Sequence, residues 1–388
     1  MTPVVRVATD RKYRIVHIIT RFITGGADEN TLLSANWFAE QGHEVTLIYG
    51  DQTDQMILNK IHPAVMQRQV MSLCRPVRPH KDLQAFVEIR RLLREIKPEI
   101  VHTHTSKAGF IGRLACLGLP HIVVVHGIHI LPFINVSTAE KIVYTIMERL
   151  VAPITDAFVS VSLGMRDAAQ MGGIGRPENH YIVASGMNIE HFKKAGLEAR
   201  IKSENDPVEV LLLAAYEPRK QQLKLLQHLA QNSERFKGHV HFTFAGHGYL
   251  MADCAAYVRE SGLSDLVTIS GFTSDPATAI AAADICIYCS TNEGLPRAIV
   301  QYAACGKPIV ALDLPGLDII IKQNINGFLC QQNDFSALSE GILKLTNDRD
   351  LRQSFAMAST ALDLSAWSVD GMCRELNDIY ETVLNIPK

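Results

Sequence analysis

Short apolar runs rich in β-branched residues alternate with amphipathic stretches from one end of the chain to the other. In 82–97, apolar residues recur at steps of three and four, which is the spacing of one helix face. The predicted helices include 28–41, 82–97, 139–151, 220–232, 293–305 and 335–346. The predicted strands are 13–20, 44–50, 99–103, 121–126, 157–162, 179–184, 208–215, 239–246, 266–270, 284–289 and 308–312. This alternation predicts parallel sheets covered by helices on both faces.

The polar segment 195–207 interrupts the alternation and has no periodic pattern. It divides the chain into two α/β halves of similar size. We therefore predict an N-terminal domain over 1–195 and a C-terminal domain over 196–369, each a doubly wound parallel sheet. Sheets of this kind bind ligands outside the carboxyl ends of their strands, so two of them would face each other across a cleft.

Composition and charge exclude several classes of protein. The 388 residues are 47% hydrophobic and 20% charged, with a net charge of −2. A near-neutral chain argues against a nucleic-acid partner, because such binding requires a strongly basic surface. The sequence has no apolar run of membrane-spanning length, and 1–12 has no apolar core of signal-peptide length, so we expect a cytoplasmic protein.

The N-terminal third is locally basic. Residues 1–120 contain 16 lysines and arginines against 11 acidic residues, with the excess concentrated between Arg75 and Lys97. This excess is compatible with an anionic acceptor or a membrane surface as a partner. A solvated helix face would explain the same charges equally well.

Candidate metal motifs lack the ligands that a site needs. Cys286 and Cys289 form a Cys-x-x-Cys pair, but it lies within an apolar run and no second pair exists. His102 and His104 alternate at the end of a predicted strand without an evident third ligand. The Asp348–Asp350 motif precedes a helix near the C-terminus. We therefore predict no metal, and eight reduced, buried cysteines.

The segment Ser290–Arg297 has the strongest potential for chemistry, since it joins a predicted strand to a predicted helix. Gly294 permits a close backbone approach, and Pro296 suits the first helical turn. The free N–H groups at such a helix start, together with its dipole, can bind a diphosphate. Glu293 could accept hydrogen bonds from sugar hydroxyls. An ordinary capped strand–helix turn accounts for these residues equally well.

These residues resemble the signature of glycosyltransferase family 4, the retaining nucleotide-sugar transferases of the GT-B fold. That signature opens with Glu-Gly-x-Pro and has a second Glu after seven residues; here the two positions hold Glu293 and Gln301. Further segments resemble the family in the same order along the chain: Thr24–Ala27, Gln41–Val45, Val101–Gly109, Val125–His129, Ser185–Phe192, Phe244–Gly248 and Gly316–Phe328. The resemblance implies two Rossmann-like domains, with the C-terminal helix over 370–388 packing back on the first.

The resemblance also implies roles for individual residues. Lys220 matches the lysine that binds the donor diphosphate, whereas Ala215 stands where the family has an arginine. The implied catalytic residues are Lys220, Glu293 and His126. The implied donor-binding residues are Gly25, Gly26, His129, Gly246, Gly271, Phe272, Gly294, Leu295, Pro296 and Gln301. Lys107 and Arg113 are acceptor candidates, although both could equally be surface charges.

The activity implied by the resemblance is transfer of a sugar from a nucleotide diphosphate sugar to a hydroxyl, with retention at the anomeric carbon and without a metal or other cofactor. The default donor is a UDP-sugar. The implied acceptor is a glycan or lipid-diphosphate-linked glycan in surface polysaccharide assembly, with peripheral contact at the inner membrane. Two alternatives remain open: a related epimerase or hydrolase, and a degenerate sugar-nucleotide-binding partner subunit without catalytic activity.

Overall fold

The computed structural model describes residues 11–23, 25–129, 138–199, 206–291, 293 and 296–385. The chain forms two compact α/β units. The first extends through Gly186 and resumes at Val369, and the second spans Met187–Ser368. The division thus falls earlier than the predicted boundary at 195, because Ile189 and Phe192 of the following helix are buried in the core of the second unit.

The first unit is built around a seven-stranded sheet. Its strands are β1 (Arg14–Ile19), β2 (Glu44–Tyr49), β3 (Met66–Gln69), β4 (Ile100–His104), β5 (Val123–Ile128), β6 (Ala157–Ser160) and β7 (His180–Ile182). The strand order is β3-β2-β1-β4-β5-β6-β7, and all neighbouring pairs are parallel. The helices between them are α1 (Gly26–Glu40), α2 (Gln55–Leu58), α3 (Pro79–Ile96), α4 (Ser106–Cys116), α5 (Thr138–Val151) and α6 (Leu163–Met171).

A six-stranded parallel sheet forms the second unit. Its strands are β8 (Val208–Leu213), β9 (Val240–Ala245), β10 (Val267–Ser270), β11 (Ile285–Tyr288), β12 (Ile309–Leu312) and β13 (Gly327–Cys330), in the order β10-β9-β8-β11-β12-β13. The helices are α7 (Ile189–Leu197), α8 (Gln222–Gln231), α9 (Met251–Glu260), α10 (Pro276–Ala282), α11 (Arg297–Ala304), α12 (Phe335–Asn347) and α13 (Arg349–Thr360). The predicted doubly wound class is confirmed for both units.

Both faces of the first sheet are buried, as the apolar strands predict. Along β1, Ile15 and Ile19 pack on one face, and Val16 and Ile18 pack on the other. The last helix, α14 (Val369–Leu384), belongs to the first unit and packs beside α1 on the Ile15 face.

Several predicted elements differ from the observed ones in ways that affect the site. Strand β5 continues through Ile128, so two residues expected in a loop lie inside a strand. Helix α11 begins only at Arg297, because Pro296 adopts an extended conformation before it. Strand β3 was not predicted, because all four of its residues are exposed and no hydrophobic alternation marks it.

The predicted state of the cysteines agrees with the structure. All eight are buried, and none forms a disulfide within the described ranges. Among the helices of those ranges, none combines the length and apolar character that crossing a membrane requires.

Candidate active site

Glu293 lies between the end of β11 and the start of α11, and 17% of its side chain is exposed. It faces the turn after β8, a short 3-10 helix over Pro218–Lys220. Both Arg219 Nη1 and Lys220 Nζ contact the Oε1 atom of Glu293. The structure therefore brings together Lys220 and Glu293, two of the three residues for which the family resemblance implies a catalytic role.

The backbone aligns these two segments. The N–H of Thr291 donates to the carbonyl oxygen of Arg219 at 2.8 Å. The thiol of Cys289 donates to the carbonyl of Lys220 at a Sγ–O distance of 3.1 Å. Gln221 follows in the left-handed conformation, with φ of 55°, and thereby starts helix α8 in a new direction. Lys220 and Glu293 are therefore positioned by main-chain contacts as well as by their charges.

Burial and charge act in opposite directions on the two cations. Burial lowers the pKa of Lys220, and the neighbouring Glu293 carboxylate counteracts part of that effect. Burial also acts to lower the pKa of Arg219, but Glu293 and Glu217 outweigh it and raise the pKa. Tyr288 lies under Lys220, with its hydroxyl 3.4 Å from Nζ. Two partly buried cations at the end of a strand can stabilise a phosphate group.

Arg219 is the residue that sequence reasoning missed. The family pattern places an arginine at position 215, where this chain has Ala215, and Arg219 has the wrong spacing. In the structure the 3-10 turn directs Arg219 to the same carboxylate as Lys220. Two cationic side chains therefore contact Glu293, and the role of Lys220 at the diphosphate stays a prediction. The Pro-Arg-Lys sequence after a strand was the only local indication of this contact, but whether the Arg219 side chain reaches Glu293 depends on the geometry of the turn.

The glycine-rich ends of β9 and β10 lie close to the end of β8. Gly246 has φ of 152°, and an added Cβ there would lie 2.0 Å from the carbonyl oxygen of Ala214, so only glycine fits. Its N–H donates to the carbonyl of Gly271 at 3.1 Å. The side chain of Phe272 is exposed. A nucleotide base could stack on this ring, and the donor-binding roles of these residues stay predictions.

Residues around α11 differ in how well they are placed for a donor role. Pro296 is buried and directly precedes the helix. Gln301 is partly buried, and its side chain has no hydrogen-bond partner among the described residues. Gly294 and Leu295 lie outside the described residues, so their predicted amide contacts stay predictions.

Gly25 and Gly26 form the start of α1 in the first unit. Gly25 precedes the helix in an extended conformation and, as a glycine, provides no side chain to cap it. Asp28 lies against this turn: its carboxylate accepts the N–H of Ile23 at 3.2 Å, and burial raises its pKa. The predicted contact of the two glycines with the donor stays a prediction.

His126 is the last residue of the predicted strand, but in the structure two more strand residues follow it. It lies within β5, is 5% exposed, and makes a 2.9 Å hydrogen bond between Nδ1 and Thr103 Oγ1. Helix α4 covers the ring at Gly109, where an added Cβ would lie 2.5 Å from Cε1. Burial, and then the charge of Arg113, lowers the pKa of His126 well below its usual value. His129 follows the end of the strand and is partly buried.

The acceptor candidates have partners of their own. Arg113 is fully buried, with Nη2 2.6 Å from a carboxylate oxygen of Glu148 and Nε donating to the carbonyl of Gly109 at 2.7 Å. Its placement indicates a packing role in the first unit rather than an acceptor contact. Lys107 forms a 2.5 Å ion pair with Asp82 at the start of α3 and is mostly buried.

Comparisons with known proteins agree with this architecture. A model described as Glycosyltransferase Family 4 matches residues 24–190, and one described as Glycosyl transferases group 1 matches residues 194–361. The chain is 23% identical over 356 residues to the UDP-Gal:alpha-D-GlcNAc-diphosphoundecaprenol alpha-1,3-galactosyltransferase of Escherichia coli, covering 89% of this chain and 90% of that protein.

Two further relatives extend the comparison. The capsular polysaccharide biosynthesis glycosyltransferase CapM of Staphylococcus aureus is 21% identical, with 81% of this chain and 85% of that protein covered. Alr3699/HepE of Anabaena, crystallised with UDP and glucose, has the same fold, with a TM-score of 0.78 at 19% identity and coverage of 95% and 100%. The two family models together span most of the chain, and the protein therefore belongs to the family 4 type of glycosyltransferases with the GT-B fold.

Proposed function

We propose that this glycosyltransferase transfers a sugar from a UDP-sugar, with retention, to a hydroxyl of a glycan or lipid-diphosphate-linked acceptor in surface polysaccharide assembly. The observation that supports it most directly is the contact of Lys220 and Arg219 with Glu293. The Escherichia coli relative is named for a UDP-sugar donor and a diphosphoundecaprenol acceptor, and the Anabaena structure contains UDP and glucose.

In the proposed reaction, the bond between the anomeric carbon and the diphosphate oxygen breaks, and the acceptor oxygen takes its place on the same face. The acceptor proton passes to the leaving phosphate oxygen, so no enzyme nucleophile is needed. Lys220 and Arg219 stabilise the negative charge that develops on the leaving group. Glu293 accepts hydrogen bonds from the donor sugar hydroxyls. His126 stays a predicted sugar contact.

Two exposed helix surfaces of the first unit support a membrane-bound acceptor. On α3, Leu83, Val87, Arg91 and Arg94 are exposed at helical spacing. On α5, four large apolar side chains are exposed: Ile142, Val143, Ile146 and Leu150. Apolar residues combined with arginines suit peripheral contact with an anionic lipid surface. We infer peripheral association with the cytoplasmic face of the membrane.

Product analysis tests the activity. The purified protein is incubated with a panel of UDP-sugars, with and without an undecaprenyl-diphosphate-linked sugar. We expect acceptor-dependent UDP release and a product whose anomeric configuration matches the donor by NMR. Donor hydrolysis without transfer would indicate a hydrolase, an isomerised donor would indicate an epimerase, and binding without turnover would indicate a non-catalytic partner. An inverted product would contradict retention.

Gln301 offers a test of donor binding. A glutamate there would accept ribose hydroxyl hydrogen bonds as an anion, and bonds to charged groups contribute about 1.5–3 kcal/mol against about 1 kcal/mol for neutral ones. We expect Gln301→Glu to tighten UDP binding, and Gln301→Ala to weaken it with a smaller effect on kcat. Calorimetric titration of UDP measures both. Unchanged affinity in both variants would show that Gln301 does not contact the ribose.

We also expect transfer to proceed without Mg²⁺ or Mn²⁺, because two cationic side chains are available for the diphosphate. Initial rates are measured after these ions are removed by gel filtration and again after each is added back at millimolar concentration. Unchanged rates fit the proposal. A rate that requires either ion would contradict it and would place a metal on the donor diphosphate.

A further inference from the structure

We propose that four histidines of the first unit, His17, His102, His104 and His129, bind a divalent transition metal ion of the zinc class. We refer to these four residues as the histidine cluster. The sequence alone did not predict it, because only His102 and His104 are close together along the chain. The proposal does not depend on the proposed glycosyl transfer: it is tested without an activity assay, and His129 is the one cluster residue for which the family resemblance also implies a donor contact.

The parallel register of β1 and β4 brings three of these side chains together. His17 pairs with His102 across the two strands, and His104 lies on the same face because side chains alternate along a strand. The ring centroids of His102 and His104 are 4.2 Å apart, and those of His17 and His104 are 5.3 Å apart. One ring nitrogen from each of the three lies within 4.8 Å of the others.

The remaining ring nitrogens have hydrogen-bond partners that orient the rings. His102 Nδ1 lies 2.7 Å from the hydroxyl of Tyr380, a fully buried residue of α14. His17 Nδ1 lies 3.0 Å from His104 Nε2. The Nε2 atoms of His17 and His102 are buried and have no hydrogen-bond partner in the described part of the chain. His102, with one nitrogen at a hydroxyl oxygen and the other without a partner, has the usual arrangement of a metal-binding histidine. Both nitrogens of His104 contact other histidines, since its Nδ1 also lies 3.0 Å from His129 Nε2, and this contact would be exchanged for the metal ion.

Gly127 leaves space where the ring nitrogens converge. A Cβ added to Gly127 would lie 3.0 Å from His104 Nδ1, 3.1 Å from His129 Nε2 and 3.2 Å from His102 Nε2. Three histidine nitrogens therefore surround one point beside the strand. A methyl group there would occupy the space into which the rings would turn to reach zinc–nitrogen distances of about 2.0–2.1 Å.

The chemistry of the cluster suits a zinc-class ion. Burial lowers the pKa of His17 to about 3 and that of His129 to about 4. Burial also lowers the pKa of His102 and of His104 well below the ordinary value. Neutral imidazole is the form of histidine that binds metal. Imidazole nitrogen favours zinc, copper and nickel over Mg²⁺ or Ca²⁺, so this site differs from the hard-ion sites that serve phosphates. His126 lies on the opposite face of the sheet and is not part of the cluster.

The test uses the full chain without an affinity tag. The protein is treated with a chelator, incubated with Zn²⁺ or Co²⁺, and freed of unbound metal by gel filtration. We expect about one metal ion per chain by elemental mass spectrometry, and a visible absorption band when the ion is Co²⁺. We also expect Zn²⁺ to raise the melting temperature, because an ion that binds only the folded state stabilises it. Less than one tenth of an ion per chain with an unchanged melting temperature would overturn the proposal. The cluster would then be a neutral hydrogen-bonded chain.

Three variants locate the ion. His102→Ala removes a ligand and Gly127→Ala fills the space, so both are expected to lose stoichiometric binding. The matched control, His239→Ala, removes an exposed histidine of the second unit and should bind metal like the parent. If the first two variants fail to fold by circular dichroism, Tyr380→Phe decides, because it keeps the buried ring and removes only the hydroxyl. We expect Tyr380→Phe to weaken Zn²⁺ affinity about 10- to 100-fold in a competition titration. Parental metal binding in a folded His102→Ala, Gly127→Ala or Tyr380→Phe protein would contradict the assignment.

Discussion

Replacing Lys220 by alanine is expected to lower kcat by about 10²–10³-fold, which corresponds to about 2.7–4 kcal/mol of lost transition-state stabilisation. Lys220 is mostly buried and contacts Glu293. Removing it deletes one of two cations at the proposed diphosphate position and leaves Arg219 to balance the charge alone. The loss should appear in kcat and kcat/KM together, because the charge on the diphosphate grows as the sugar departs.

A matched control for this variant lies on the following helix. Lys224→Ala removes an exposed lysine of α8, and its activity should equal that of the parent. Both proteins must retain the parental circular dichroism spectrum. Parental turnover in a folded Lys220→Ala protein would remove Lys220 from the mechanism.

The pH dependence of the transfer rate is an independent test of the role of Lys220. Its pKa is lowered by burial, so it should lose its proton at a lower pH than an ordinary lysine. Since the protonated form stabilises the diphosphate, the rate should fall as pH rises through this lowered pKa. In Lys220→Arg the decline should move to higher pH, because an arginine keeps its charge. Identical alkaline limbs in the two proteins would assign the decline to another group.

Arg113→Met is expected to destabilise the first unit by about 3–5 kcal/mol, because it leaves the carboxylate of Glu148 buried without its partner. Arg113 Nη2 lies 2.6 Å from Glu148 Oε2, and the exposed fractions of the two side chains are 0% for Arg113 and 7% for Glu148. Unfolding in urea, followed for the full chain, measures the loss. We expect the double variant Arg113→Met, Glu148→Leu to recover most of it, because neither buried charge remains.

The control for this prediction is Arg94→Ala, which removes an exposed arginine of α3 and should leave the urea midpoint unchanged. An acceptor-binding role for Arg113 makes the opposite prediction. In that case Arg113→Met would unfold at the parental urea concentration and raise only the KM for the acceptor.

Contacts between distant side chains could not be predicted from the sequence. The motif around Glu293 identified the correct strand–helix junction, because a chain turning at a strand end leaves a local signature of glycine and proline. The same reasoning set Arg219 aside on spacing alone, yet a single 3-10 turn brings it to Glu293. It also ended the strand at His126, two residues too early, because the length of β5 depends on its pairing with β4 and β6 rather than on its own residues.

The sequence by itself determined the class of the fold and the family. Hydrophobic periodicity is a local property, so it predicted two parallel α/β units, and the ordered motifs identified the glycosyltransferase family that the comparisons confirm. Tertiary structure alone decided which distant side chains meet. The register of β1 against β4 unites His17 with His102 and His104, and α14 adds Tyr380 from the far end of the chain. In a parallel sheet, neighbouring strands are joined by long crossovers, so residues that touch across them have no short spacing that a sequence pattern could reveal.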